Sequence, residues 1–377
     1  MNSQADEIFN GYPILGFIMR ATSFLNWRFD IKLLLVLLLS VLILAIAAVL
    51  DNTLLIRSKA MGFLEHPSIW VFFCMGAIVP FNISAALKSF YKFLSGNDII
   101  HSETDLSVYA DYFRKFSARD IGVSRFLYYL LTAAGFICLA FNTYQNQQPY
   151  RYLAFDFWDS IFHPFGYTAT RLFKFYLWVL FLPAFAHIYI TLVFTIVKLL
   201  KDAKTKAFIN LQPYHHDRNG GVAIIMEIVI KPFIPLLSIV ALNGLAVYYV
   251  HQKLDATPLI GLFMATLFLL VFYTVPAYYL MELIKFHKKQ YLKEITDRQN
   301  IILSNMKKPE NIALLLSHID SLNGMQHVIK QINSVPEWPY SKQITKMVLG
   351  IYTGTAAIIG ILDSVNKYKH LVEPIVK

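Results

Sequence analysis

Apolar residues fall into six long runs separated by polar segments: roughly Ile31–Leu50, Ser68–Leu87, Phe126–Asn142, Leu172–Val197, Phe233–Val250 and Pro258–Ile284. A bilayer hydrocarbon core takes about 20 apolar residues of helix to cross. Each run lies near that length. The pattern predicts an all-α fold, a polytopic transmembrane helical bundle of about six spans. It divides the chain into an N-terminal cytoplasmic or interfacial segment (1–30), a six-helix transmembrane domain (31–284) and a cytoplasmic helical region (285–377).

The polar segments alternate in positive charge. Arg20, Arg28 and Lys32 flank the first run on its N-terminal side, while only Arg57 and Lys59 follow it. Lys88, Lys92, Arg114, Lys115, Arg119 and Arg125 lie between the second and third runs. Lys198, Lys201, Lys204, Lys206, Arg218 and Lys231 follow the fourth, Lys253 alone follows the fifth, and Lys285, Lys288, Lys289, Lys293 and Arg298 follow the sixth. Cytoplasmic loops carry the excess of Lys and Arg, so both termini are expected in the cytoplasm.

The net charge of +10 points to anionic lipid headgroups rather than nucleic acid. The basic residues flank hydrophobic runs, and no soluble basic domain accompanies them. Cys74 and Cys138 lie inside apolar runs and are expected as small core residues, not a disulfide. Acidic and basic residues are mixed before the first run (Asp6, Glu7, Arg20, Arg28, Asp30), unlike a cleavable signal peptide. Ile14, Leu15, Phe17, Ile18, Phe24, Leu25 and Trp27 are expected along the interface.

Pro80, Pro183, Pro235 and Pro276 interrupt four of the runs. Each removes a backbone hydrogen bond, and in a membrane the freed carbonyl needs another partner. Kinked spans satisfy this, and so do discontinuous helices lining a solute path. Between the second and third runs, Ser102–Asp105 reads as a helix cap. Leu106, Tyr109, Phe113 and Phe116 follow as an apolar stripe for packing. After Lys307-Lys308-Pro309, Ile312, Leu315, Leu316, Ile319 and Leu322 form one face of a further helix, which Asn323-Gly324 is expected to end or interrupt. With the extended sixth helix it suggests a small antiparallel bundle able to bind a partner. The stretch Met347–Leu362 is short for a span, contains Gly350 and Gly354 at close-approach spacing, and is expected to be re-entrant or interfacial.

Candidate chemistry is sparse. The densest polar segment runs from Leu211 to Gly221. There His215, His216, Asp217, Arg218, Gly220 and Gly221 suit a structural turn and helix cap, or an anion or lipid-headgroup site at a helix N-terminus. No HxxxH or HExxH spacing supports a metal there. His187, Glu227, Lys231 and Glu282 are ionisable residues in or beside spans, and such residues are functional candidates. Glu227 precedes Lys231 by four, the favourable order for a helical pair. In the aromatic segment before the fourth run, Asp156, Asp159 and His163 suit either a solvated face or a cation or proton site, with Asp159 and His163 on one face if helical. Trp338, between Pro336 and Pro339, reads as an interfacial anchor. No phosphate loop, nucleophile elbow, paired-Cys site or dinucleotide fingerprint occurs, and no cofactor is implied.

His163-Pro-Phe-Gly-Tyr167, His215-His-Asp-Arg-Asn-Gly-Gly221 and Glu337-Trp-Pro-Tyr340, in this order among six helices, resemble a family of uncharacterised bacterial multi-pass membrane proteins. That family has a His-Pro-Asp-x-x-Gly-Gly-like loop and a Trp-Pro-aromatic motif at matching places. Here His216 stands where the family has Pro. The resemblance implies a bacterial inner-membrane location and no activity. The expectation is a non-enzymatic channel, transport or membrane-sensing component. The alternatives are a membrane-bound enzyme with a site at His215–Arg218, or a scaffold recruiting a cytoplasmic protein or a second copy of itself.

Overall fold

The computed structural model describes residues 8–25, 27–55, 62–95, 105–146, 158–206, 208–209, 224–233, 235–236, 238, 242, 256–306, 312–335, 346 and 350. Its elements are helical: α1 (Pro13–Ala21), α2 (Phe29–Leu50), α3 (Pro67–Leu94), α4 (Ser107–Ser117) and α5 (Gly122–Asn146). After these come α6 (Pro164–Phe175), a π-helical turn (Tyr176–Phe181), α7 (Leu182–Lys206), α8 (Ala256–Met306) and α9 (Ile312–Ser334). No strand pairs with another among the described residues, which agrees with the all-α expectation.

Proline sets three of the helix starts. It occupies the first position of α1, α3 and α6, after the extended residues Tyr12 and His66 and after His163, which is also non-helical. Its fixed φ suits a first turn, where the missing N–H costs nothing, and it holds the residue before it out of the helix. Pro80 and Pro276 are accommodated inside α3 and α8 without ending them. Asp105 starts α4 through a hydrogen bond from the Ser107 N–H at 2.9 Å. Tyr109, Phe113 and Phe116 then face inward, as the stripe predicts.

Four helical segments are long and apolar enough to cross a membrane: Phe29–Leu50, Ile69–Leu94, Gly122–Ala140 and Pro164–Lys206. Six crossings are more than this establishes. The fifth run lies almost wholly outside the described residues, and the sixth lies within α8. The fourth segment is the axis of the molecule. α6, the π turn and α7 form one rod of 43 residues, about 65 Å at ordinary helical rise. α2 packs beside α6, α5 lies along the whole rod, and α3, α4 and α8 surround α7.

Paired positions give the directions. Thr143, Gly135 and Ser124 of α5 meet Arg171, Trp178 and His187 in turn, so α5 runs antiparallel to the rod. Phe272, Tyr279 and Glu282 of α8 meet Phe194, Lys201 and Lys204, so α8 runs parallel to α7. α9 packs against α8. Leu38, Leu42, Ile43, Ile46 and Val49 of α2, and Phe126, Leu130, Phe136 and Ile137 of α5, are exposed. An apolar face this large is compatible with a membrane-facing surface.

The structure corrects several sequence expectations. The fourth helical segment starts at Pro164, well before Leu172. Asp159 lies in a turn and His163 precedes the helix, so the two do not share a helical face. Trp158, in the aromatic segment before this helix, is fully buried. Asn323-Gly324 neither ends nor interrupts α9, which continues to Ser334. In α1, Leu15 and Ile18 are buried, while Phe17 stays exposed, as do Phe24 and Trp27 after the helix. Cys74 and Cys138 are free, and Cys138 is exposed rather than a core residue. Asp156, His215, His216, Asp217, Arg218, Gly220, Gly221, Trp338 and the stretch 351–362 lie outside the described residues.

Candidate functional site

The rod carries its polar groups on a buried stripe. Thr170, Lys174, His187, Thr191 and Thr195 are all buried. Thr170 and Lys174 are four apart, as are His187, Thr191 and Thr195, so each set shares a face. Between the sets, the π turn adds a residue to the winding and Pro183 cannot donate to the carbonyl of Val179. Gly135 of α5 faces this irregular stretch. A Cβ there would stand 2.1 Å from the Trp178 carbonyl oxygen, so only glycine admits this approach.

One end of the stripe is ionic. Lys174 Nζ lies 3.6 Å from Asp159 Oδ2, and both side chains are largely buried. Burial pushes the Asp159 carboxyl upward, but the charges of Lys174, His66 and Arg171 outweigh it and hold the group below the ordinary carboxylate value. Arg171 donates to Thr143 Oγ1 at 3.1 Å and lies 4.9 Å from the centre of the Tyr167 ring. The Gly166 N–H donates to Asp51 Oδ2 at 2.6 Å, tying the end of α2 to the start of α6. Phe63 meets the Trp158 ring edge-on at 5.0 Å. The Trp158 carbonyl would stand 2.3 Å from a Cβ at Gly166.

The other end is built from hydroxyls. His187 Nδ1 is 2.6 Å from Tyr12 Oη. Its Nε2 is 3.0 Å from Ser124 Oγ and 3.1 Å from the Ser124 carbonyl oxygen. The Ser124 hydroxyl donates to the Phe116 carbonyl, so it is an acceptor toward the ring. These partners select the tautomer with hydrogen on Nε2, leaving Nδ1 to accept from Tyr12. Phe116 stacks on the imidazole and Tyr128 meets its edge.

Arg119 closes this end from the α4–α5 turn. Its φ of 64° is in the left-handed region, unusual for a side-chain-bearing residue. The guanidinium donates to the Gly11 carbonyl and lies 5.1 Å and 4.8 Å from the Tyr12 and Tyr128 ring centres. Burial pushes the Tyr12 hydroxyl far above its ordinary value, which Arg119 opposes, so Tyr12 remains a donor. Thr191 and Thr195 donate to the carbonyls four residues before them, at 2.7 and 2.8 Å.

The remaining ionisable candidates are separate. Glu227 and Lys231 pair at 3.0 Å, and Lys231 donates to Ser89 of α3 at 3.1 Å. Glu282 pairs with Lys204 at 3.0 Å, joining α8 to α7. His187, Glu227, Lys231 and Glu282 therefore belong to three different contacts. No group of three or more His, Cys, Asp or Glu side chains suited to a metal occurs among the described residues.

Sequence reading singled out Asp159 and His187 but not their partners Tyr12, Arg119, Ser124, Arg171 and Lys174. The helix begins at Pro164, ahead of the apolar run at Leu172, so Arg171 and Lys174 fall at the edge of that run and do not stand out in the sequence. The one available signal was Thr170-Arg171 and Lys174 at helical spacing directly after a Pro-started turn. No protein-family model, curated protein or solved structure matches the chain.

Proposed function

We propose that this chain is a multi-pass transport component of a bacterial inner membrane, with six crossings and both termini in the cytoplasm. The charge alternation and the resemblance carried by the His163, His215 and Trp338 motifs support that setting. Under this topology the Asp159–Lys174 end faces outward and the His187 end faces inward. The observation that carries the reading is the buried polar stripe on the most enclosed helix, with an ionic group at one end and a histidine at the other. Ionisable groups inside a bundle are costly and mark solute, ion or proton pathways. The rod is also irregular midway, at the π turn and Pro183, a feature common where a helix has work to do beyond packing.

Proteoliposomes on a solid-supported membrane test the reading through the charge displaced by concentration jumps of protons, sodium, chloride or acetate. A current is expected for at least one of these, and the paired variant Asp159→Asn/Lys174→Met should lose most of it. Currents equal to those of protein-free vesicles for all four would remove the proposal.

A second reading, a scaffold that recruits a cytoplasmic protein, has one observation in its favour. Ile301, Leu303, Leu316 and Ile319 are exposed on the α8–α9 pair. Deletion of residues 300–335 with full retention of function would exclude it.

A further inference from the structure

The Asp159–Lys174 end contains buried hydrogen-bond donors that no acceptor serves among the described residues. Trp158 Nε1, Thr170 Oγ1 and Arg171 Nε are each buried without a partner. Trp158 and Thr170 have no exposed surface. An unpaired buried donor costs about 1–3 kcal/mol, so three in one neighbourhood need an explanation.

Thr170 is the most telling. Thr191 and Thr195, equally buried on the same rod, bond to the carbonyl four residues back. Thr170 has the same option at Gly166 and does not take it. Its hydroxyl is therefore left as a buried donor without an acceptor among the described residues. Gly166, Thr170 and Lys174 succeed one another at four-residue intervals, and Arg171 is adjacent. Trp158 lies against Gly166, its Cε3 3.1 Å from where a Cβ would be. Asp159 feels Lys174, Arg171 and His66 together, so these charges share one region. Asp51, held by the Gly166 N–H, and Asp159 set two carboxylates against the cations Lys174 and Arg171, so the unserved donors rather than an excess of positive charge single this end out.

We infer that Trp158, Thr170, Arg171 and Lys174 form a binding site for a small oxyanion, a carboxylate or a phosphate group. The indole and hydroxyl supply neutral donors, and Arg171 and Lys174 supply charge. Asp159 pairs with Lys174 at 3.6 Å and tempers its charge. The site would serve as the outward entry of the transport path, and that use rests on the transport reading. Binding itself does not.

The test uses the full chain in lipid-free detergent, titrated with acetate or inorganic phosphate against chloride at constant ionic strength. The readouts are thermal midpoint and tryptophan fluorescence. Saturable stabilisation by acetate or phosphate beyond chloride is expected. Thr170→Val should weaken it about tenfold, the loss of one hydrogen bond of about 1.4 kcal/mol. Arg171→Gln should abolish it, and Lys204→Gln should leave it intact. Saturation by added phosphatidylglycerol alone, with the same dependence on Thr170 and Arg171, would assign the site to a lipid phosphate. Equal responses to all anions and to phosphatidylglycerol, or a response unchanged in both Thr170→Val and Arg171→Gln, would overturn the site. Binding without any current in proteoliposomes would remove transport and keep the site. Current without binding would do the reverse.

Discussion

The helices α2 and α6–α7 invert the rule of water-soluble proteins. Phe29–Leu50 is nearly pure Leu, Ile, Val and Ala, yet only 28% of its most apolar window is buried. Pro164–Lys206 carries Thr170, Lys174, His187, Thr191 and Thr195, yet 78% of its window is buried. In water the more apolar helix would be the enclosed one. In a bilayer the solvent is itself apolar, so Leu gains nothing by hiding and polar groups gain everything. The difference is the one that a lipid-facing α2 and an enclosed polar rod would show.

The comparison breaks most visibly at the ionic end. Asp159→Asn removes the carboxylate beside the buried Lys174 and should destabilise by about 3–5 kcal/mol, read by thermal or chemical unfolding in detergent. The double variant Asp159→Asn/Lys174→Met should recover most of that loss. Because the folded carboxyl lies below its ordinary value of 3.8, its contribution is fully present above that value and lost as pH falls toward the folded one. Asp159→Asn should therefore flatten the acid limb of the stability profile, and an unchanged limb would show that Lys174 does not hold Asp159 ionised.

Packing along the rod comes next. Gly135→Ala drives a Cβ toward the backbone oxygen of Trp178, and such overpacking costs about 1–3 kcal/mol. Ile137→Ala, two residues on and exposed, should cost far less. Equal losses at 135 and 137 would mean that α5 does not press one face against the π turn. At the hydroxyl end, His187→Leu strands Tyr12 and should cost about 1–3 kcal/mol, with faster amide exchange in Pro13–Ala21. Unchanged exchange there would dissociate α1 from His187. The smallest effect belongs to the half-exposed Lys204–Glu282 pair. Lys204→Gln should change stability by no more than about 1 kcal/mol.

Much of this architecture is legible in the chain, for reasons that also mark the limit. Apolar runs expose helices because length and composition are local properties. α2, α3, α5 and the continuous α8 follow from them directly, and the stripe Tyr109–Phe113–Phe116 places α4. Run-reading fails where a helix is amphipathic at its start. Pro164 opens the rod, but Thr168, Thr170, Arg171 and Lys174 hide the first turns from any hydropathy window. The candidate site suffers more, because its partners come from distant segments. Tyr12 and His187 are 175 positions apart, and nothing in either neighbourhood announces the other. Glu227–Lys231 was readable because both members sit on one helix, and for the same reason it says little about the site.

The central claim is that the α2 face is lipid-facing while the α6–α7 rod is enclosed. Nitroxide labels at Ile43, Ile137 and Lys293, in a chain freed of Cys74 and Cys138 and reconstituted in liposomes, test it most directly. Labels at 43 and 137 should collide with oxygen and be shielded from a water-soluble nickel complex, and the label at 293 should do the opposite. Ready access of the nickel complex to position 43 would contradict the account.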